Sequence, residues 1–192
     1  MPVGSLGLVF GASFAAGLNV YATVATLGLL QRFGVVTLPA PLQALAHPLV
    51  LTIALVLYVV EFFADKIPVV DHVWDAIHTF VRVPAGAILA ASAFADFDPA
   101  VRVVALLVGG GLALGSHGGK AVTRVTVNSV APGAGAAVSA AEDALAVGST
   151  ALMTFFPLVF LGLLILLLIG TAWLIPRIAR VLRRVPALLR GS

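Results

Sequence analysis

The chain contains no cysteine, and only 10% of its 192 residues are charged. The absence of cysteine excludes disulfides, thiol nucleophiles, thiolate metal sites and cysteine lipidation. Soluble domains carry about 25% charged residues, so a water-soluble globular protein is excluded as well. Intrinsic disorder is also excluded, because it requires low hydrophobicity and high net charge.

The familiar catalytic signatures are missing too, since the sequence has no HExxH, GxSxG, P-loop or GxGxxG motif. We therefore predict no enzymatic activity, no catalytic residues and no cofactor. A bound cation of unidentified kind stays open. The least favoured alternative is a membrane hydrolase that holds a metal on Asp71, Asp75 and His78, whose spacing would allow it.

Apolar residues dominate what is present: 61% of the chain is hydrophobic and the mean hydropathy is +1.14. A membrane span needs about 20 apolar residues. We predict an all-α polytopic membrane protein with six transmembrane helices, and five or four spans are the alternatives. The predicted spans lie at roughly 3–31, 48–64, 73–95, 100–122, 139–156 and 150–176. The approximate bounds of the last two overlap, and Pro157 separates these two spans.

The predicted helices form one transmembrane domain, residues 1–176, followed by a basic tail at 177–192. Three spans fall in each of two halves, 1–97 and 98–176, which would insert with opposite topology as an inverted repeat. Placing Gly17 on Gly115 puts Asn19 on His117.

Five of the eleven lysines and arginines lie in the last sixteen residues. Arginines next to a membrane span favour the cytoplasmic side and contact anionic lipid. We therefore predict a cytoplasmic carboxyl terminus and no binding of nucleic acid. Six spans would place the amino terminus in the cytoplasm too. The tail arginines are Arg177, Arg180, Arg183, Arg184 and Arg190.

Charged residues inside the apolar segments are costly and mark functional sites by default. They occur at helical spacing, so that each stripe lies on one face of its helix. Two such stripes are expected to meet near the ends of the second and fourth spans and the starts of the third and fifth, in one polar vestibule. The candidates are Glu61, Asp65, Asp71, Asp75, His78, Arg82, His117, Lys120, Arg124, Glu142, Asp143 and Asn19.

The acids in these blocks outnumber the bases by six to four when Lys66 is included. Carboxylates and neutral imidazoles bind divalent cations or relay protons. The favoured function is a small transporter or channel-like carrier for a cation, with proton coupling as an option, working as a homo-oligomer. The alternatives are a binder or carrier of a phosphate-bearing lipid and a structural or accessory membrane subunit. In a structural or accessory subunit, the charges would only form ion pairs that hold helix ends together.

Single polar residues have simpler expected roles. Asn19 and Tyr21 favour interhelical hydrogen bonds over ligand binding, and Trp74 favours an anchor at the membrane interface.

Three stretches carry a family resemblance: GLNVYATVATLGLLQRFG, LYVVEFFADKIPVVDHVWDAIHTFVRVPAGAIL, and SHGGKAVTRVTVN followed by ED. They resemble the bacterial integral-membrane family catalogued as domain of unknown function 4126, over most of residues 10–145. The EFFADK run with its following acids and histidine is the specific part. The resemblance implies a small multi-pass protein of the bacterial inner membrane, and it supplies no activity.

Overall fold

The computed structural model describes residues 3–131 and 134–189, and the side chains of all of these except 3, 68–69, 71–72, 128 and 178–189. This described part is helical and contains no strand, which confirms the all-α prediction. The side chain of Asp71 and those of the tail arginines after Arg177 lie outside the described residues. The elements are α1 (Val3–Arg32), a 3₁₀ helix (Ala40–Ala46), α2 (Pro48–Ala64), α3 (Pro68–Ala93), α4 (Pro99–Val130), α5 (Gly135–Phe155) and α6 (Pro157–Leu189).

Proline marks the first residue of α2, α3, α4 and α6, as the sequence predicts from its proline-containing breaks. Proline suits this position because its fixed φ matches the helix and its missing N–H has no partner there anyway. Two of these starts are also capped by a side chain. His47 Nδ1 accepts a hydrogen bond from Leu49 N, and Asp98 Oδ1 accepts one from Ala100 N.

α1 is the central helix and packs against every other helix of the described chain. Small side chains let its neighbours approach closely, which matters in lipid because little hydrophobic force drives helices together. Ser13 Oγ donates to Gly86 O of α3 at 2.8 Å. On the α4 side, a Cβ at Gly17 would overlap the Ala113 carbonyl and the Ser116 hydroxyl.

α1 is broken at Asn19, which has extended backbone angles (φ −154°, ψ 104°) inside a helical segment. The half after Asn19 folds back toward the end of the bundle that holds Gly4, here called the amino-terminal side. Leu30 lies near this end, because Val35 N donates to Leu30 O and Thr37, two residues further on, lines the same cavity as Gly4. A straight helix would hold Gly4 and Leu30 about 39 Å apart. The predicted first span is therefore two half-helices.

The later helices alternate in direction. α2 runs back to the depth of Asn19, and α3 returns to the amino-terminal side, where Phe94 lies 6.2 Å from Phe10 between ring centroids. α4 runs away from that side, α5 returns, and α6 leaves it again from Pro157, which contacts Gly7. The start of α1 and the end of α6 thus lie at opposite ends of the bundle. The expectation from six spans that both termini share one side is therefore not confirmed, because α1 folds back.

Among the described residues, four helices are long and apolar enough to cross a membrane by length and composition alone, with α1 counted at its full length. The 3₁₀ helix together with α2, bent by 64°, gives a fifth candidate. Six spans and the inverted repeat are not confirmed. The predicted span at 139–156 corresponds to α5, whose apolar character is reduced by Glu142 and Asp143. The proposed repeat would align Asn19 with His117. α1 is broken at Asn19, whereas His117 lies inside the unbroken α4, so the two helices differ at the aligned position.

The outer surface of the bundle is apolar, whereas the interior holds charge. Phe80 is 83% exposed, while Arg82, two residues later in α3, is 0% exposed. The most apolar stretch of α6, which lies within Pro157–Arg177, has a mean hydropathy of 2.8 and is almost entirely uncovered. This distribution is consistent with a membrane protein, in which lipid covers apolar side chains and charged groups turn inward.

Candidate functional site

The two charged stripes predicted from the sequence face each other across the contact between α3 and α4, the most extensive helix pair in the described chain. Their helical spacing directs each stripe to one face of its helix, and the apolar faces turn outward. The carboxyl-terminal end of α2 and the first turns of α5 add further carboxylates. The charged network, as we name it, consists of Glu61, Asp65, Asp75, Arg82, His117, Lys120, Arg124 and Glu142.

Arg82 occupies the centre of this network and is completely buried. Its Nη2 donates to Glu61 Oε1 at 2.7 Å, and its Nη1 donates to Asp75 Oδ1 at 3.0 Å. The same Nη1 donates to His117 Nδ1 at 2.8 Å. Arg82 therefore connects α2, α3 and α4 through one guanidinium group, whose several fixed donors suit this task.

Lys120 and Arg124, one turn apart on α4, share the same carboxylates. Arg124 lies 2.8 Å from Asp65, 3.1 Å from Asp75 and 2.6 Å from Glu142. Lys120 Nζ lies 3.3 Å from Asp65, 3.7 Å from Asp75 and 3.6 Å from Glu142. Both cations are thus surrounded by negative charge, which leaves little attraction for a further anion such as a phosphate.

Asp65 caps α2 just beyond its apolar segment. Burial raises the pKa of its carboxyl, and the neighbouring Lys120 and Arg124 cations lower it by more, so that the pKa lies below its usual value. Asp65 therefore stays ionised at neutral pH and holds the two cations in place.

His78 and His117 have opposite tautomers, which their partners determine. His78 Nδ1 lies 2.8 Å from the Trp74 carbonyl, an acceptor, so Nδ1 carries the proton and Nε2 accepts from Tyr21 Oη at 3.0 Å. His117 Nδ1 accepts from Arg82, so its Nε2 carries the proton and donates to Thr79 Oγ1 at 2.8 Å.

Asn19 and Asp143 form a separate pair beside the network. Asn19 Nδ2 donates to Asp143 Oδ1 at 3.0 Å, and Asn19 Oδ1 accepts from Ala22 N at 2.9 Å. The second contact is a helix cap, which satisfies a backbone N–H that the break in α1 would otherwise leave without a partner. Lys120 Nζ lies 3.5 Å from the Leu18 carbonyl on the other side of the break.

Carboxylates exceed bases in this buried region. The network and Asp143 together contain five described carboxylates, whereas the described lysines and arginines are Arg82, Lys120 and Arg124. Four carboxylate oxygens are buried without a hydrogen-bond partner among the residues that the structure describes, and such atoms are rare in native proteins. They are Glu61 Oε2, Asp65 Oδ1, Glu142 Oε1 and Asp143 Oδ2.

A cavity of about 240 Å³ reaches the network from the side, between α3 and α4. It is lined by Asp75, Thr79, His117 and Arg124 together with two alanines and a valine. A second cavity, of about 440 Å³, lies on the amino-terminal side and includes Asp96.

No group of three or more histidine, aspartate or glutamate side chains in the described part of the chain is arranged to hold a metal ion. The geometry therefore offers no preformed metal centre there. Buried carboxylates and imidazoles in hydrogen-bond contact can instead bind and pass protons.

The structure brings together all the sequence-predicted site residues whose side chains it describes, with Asn19, His78 and Asp143 adjoining the network. Tyr21 is confirmed as an interhelical hydrogen-bond partner. Trp74 packs on the His78 ring at 4.4 Å, a role that its position near a helix end did not reveal. Lys66 lies outside the network, because its Nζ donates to the Phe62 carbonyl and sits over the Phe62 ring.

Sequence reasoning missed Thr79, which positions His117. Its spacing of four residues after Asp75 places it on the α3 face that turns toward α4. A hydroxyl on a charged helical stripe is the signal that would have found it.

These features define an all-helical protein with membrane-type helices and a buried charged network. The family model described as Domain of unknown function (DUF4126) matches residues 6–177, and the chain belongs to this family. No curated protein and no solved structure matches the chain.

Proposed function

We propose that the chain is a small membrane transporter or channel-like carrier for a cation, coupled to protons or carrying them. The observation that carries this proposal is the excess of carboxylates over lysines and arginines among the described residues of a buried region, where four carboxylate oxygens have no hydrogen-bond partner in the described chain. Burying an uncompensated carboxylate is so unfavourable that the group binds a proton or another cation instead. The region therefore favours the binding of a proton or another cation that can exchange.

The broken helix supports the same proposal. Many transporters place their sites at discontinuous helices near the bilayer midplane, where non-helical backbone is tolerated beside a polar cavity. The break at Asn19 in α1 lies next to Asp143 and Lys120. The lateral cavity brings Asp75 and His117 of the network to the surface of the bundle.

The orientation that we propose places the end of α6 in the cytoplasm of a bacterial cell and the protein in its inner membrane. The basic tail after α6 favours this side, and Arg32 and Arg102 then lie on the opposite side. The fold-back of α1 puts the amino terminus on that opposite side too. The tail would contact anionic lipid, and a homo-oligomer would enlarge the pathway that a single small protomer encloses.

A carrier of a phosphate-bearing lipid is less well supported, because Lys120 and Arg124 are each surrounded by carboxylates. A purely structural role is less well supported as well. Ion pairs that only fasten helices together need no surplus of buried carboxylates, and each surplus charge costs several kcal/mol.

Uptake into proteoliposomes tests the proposal. Vesicles with an imposed pH gradient would be exposed to a panel of monovalent and divalent cations, with wild-type protein, Glu61→Gln and Asp75→Asn. We expect cation uptake or proton movement by the wild type and its loss in both amide variants. Asp96→Asn, which changes an exposed carboxylate on the amino-terminal side, is the matched control and should transport normally.

A thermal-stability screen of the purified protein separates the alternatives. A ligand that binds only the folded state at 100 times its dissociation constant adds about 2.7 kcal/mol of stability. A shift with phosphate lipids that depends on Lys120 and Arg124 would favour the lipid carrier. Unchanged transport in Glu61→Gln and Asp75→Asn would rule out the proposed function.

A further inference from the structure

Asp143 differs from the other buried carboxylates of the site. Glu61, Asp65, Asp75 and Glu142 each lie within 4.0 Å of a lysine or arginine nitrogen. Asp143 is only 5% exposed, and no ion pair joins it to a described cation. Its sole hydrogen-bond partner in the described chain is the side chain of Asn19, and its Oδ2 has none.

The orientation of Asn19 is fixed by its own contacts. Its Oδ1 accepts from Ala22 N, so only its Nδ2 can face Asp143, and Asp143 Oδ1 must act as the acceptor. Asp143 Oδ2 is therefore the oxygen that is free to hold a proton. In the protonated form Oδ1 is the carbonyl oxygen, and the Asn19 contact is retained in both forms.

Other helices act on Asp143 electrostatically. Asp65, Lys66 and Tyr58 do so from the end of α2, and Lys120 does so from α4. The lysines favour the ionised carboxylate, whereas Asp65 opposes it. α1 contributes Asn19, α5 itself adds the neighbouring Glu142, and the only charged residue in the described side chains of α6 is the exposed Arg177.

The pair of Asn19 and Asp143 lies at the break in α1. Asn19 is the break between the half-helices of α1, and α1 contacts every other helix of the described chain. A hydrogen bond to a charged acceptor is roughly twice as strong as a neutral one. Loss of the proton from Asp143 therefore tightens its contact with the break in α1.

We propose that Asp143 is a proton-binding group of this protein and that Asn19 couples its protonation to the break in α1. This inference rests on the proposed transport function, for which it names the proton as the carried or coupling ion. In the step, the Oδ2–H bond of Asp143 breaks, its electron pair stays on the carboxylate, and the proton passes to water. Protonation from the other side of the membrane reverses the step.

Infrared difference spectroscopy of the purified protein in lipid tests the inference without any transport assay. Across a pH titration, the wild type should show a carboxylic-acid C=O band that Asp143→Asn lacks. Asp143→Glu should retain a shifted band, so the assignment does not depend on one variant. Asp96→Asn, at an exposed carboxylate, should leave the band unchanged.

Asn19 is tested as a positioning residue. Asn19→Ser keeps a helix-capping hydroxyl but is too short to reach Asp143. We expect the C=O band of Asp143 to move to another frequency and its titration to shift to higher pH, while the folded protein remains.

A wild-type spectrum with the same carboxylic-acid bands as Asp143→Asn would overturn the inference. So would loss of the band on adding Na⁺ at constant pH, which would make Asp143 a metal-cation ligand. The failure of the proposed function is distinguishable, because it would appear as absent flux in vesicles while the Asp143 band is still observed.

Discussion

Glu61 Oε1 lies 2.7 Å from Arg82 Nη2, and both side chains are completely buried among apolar helices. The pair joins the end of α2 to the middle of α3 at the point where Arg82 also holds Asp75 and His117. This ionic contact thus links α2 to the part of the charged network that Arg82 holds on α3 and α4.

Breaking this pair should destabilise the fold strongly. We expect Glu61→Ala to lower the free energy of unfolding by about 1–3 kcal/mol, because the buried Arg82 Nη2 loses its acceptor while Asp75 still pairs with the guanidinium. The double variant Glu61→Leu/Arg82→Met should recover part of the loss. Arg32→Ala, at an exposed arginine, is the control and should change stability by less than about 0.5 kcal/mol. Denaturation in detergent measures all three, and equal effects of Glu61→Ala and Arg32→Ala would contradict the structure.

The contact between α1 and α4 should tolerate no Cβ at Gly17. Gly17→Ala would overlap the Ala113 carbonyl and the Ser116 hydroxyl, and we expect a loss of about 1–3 kcal/mol. Gly111→Ala is the matched control, because a Cβ there has no neighbour within 4 Å. It should raise stability by about 0.5–1 kcal/mol through helix propensity. Equal unfolding midpoints for the two variants would show that this helix contact is misplaced.

The two buried histidines should report opposite tautomers. We expect the proton on Nδ1 of His78 and on Nε2 of His117, because one ring faces a carbonyl and the other accepts from Arg82. Nitrogen-15 chemical shifts of selectively labelled protein measure this directly. Thr79→Val should alter the His117 signals and leave those of His78 unchanged. The same tautomer in both rings would contradict the described network.

The cap at the break in α1 should be measurable separately from any proton chemistry. Asn19→Ala removes the acceptor for Ala22 N and should cost about 1 kcal/mol, whereas Asn19→Ser should cost less. Hydrogen exchange at Ala22 should accelerate in Asn19→Ala and remain slow in the wild type. Slow exchange in both proteins would mean that Asn19 is not a cap.

Much of this site is predictable from spacing alone. Charged residues at helical intervals in apolar segments must turn away from lipid, so the α3 and α4 stripes were expected to meet, and they do. Proline also marks the helix starts in the sequence, because it suits the first turn and interrupts a preceding helix. These rules are local and need no knowledge of neighbouring helices.

The break at Asn19 is not predictable in this way. An asparagine in an apolar helix is compatible with a straight span that bonds to a neighbour, and hydropathy cannot distinguish that from two half-helices. The break is favoured by a partner on α5, Asp143, which lies 124 positions later in the chain. The path of α1 depends on this long-range contact, and for that reason the sequence prediction of six spans stays unconfirmed.

The most direct test of the proposed function measures proton entry into vesicles that contain a pH-sensitive dye and carry an imposed, inside-negative potassium diffusion potential. We predict that wild-type protein acidifies the vesicle interior, that Glu61→Gln abolishes the acidification, and that Asp96→Asn preserves it. Wild-type vesicles that acidify no faster than protein-free vesicles, with the protein folded and the potential confirmed, would contradict a proton pathway through the charged network.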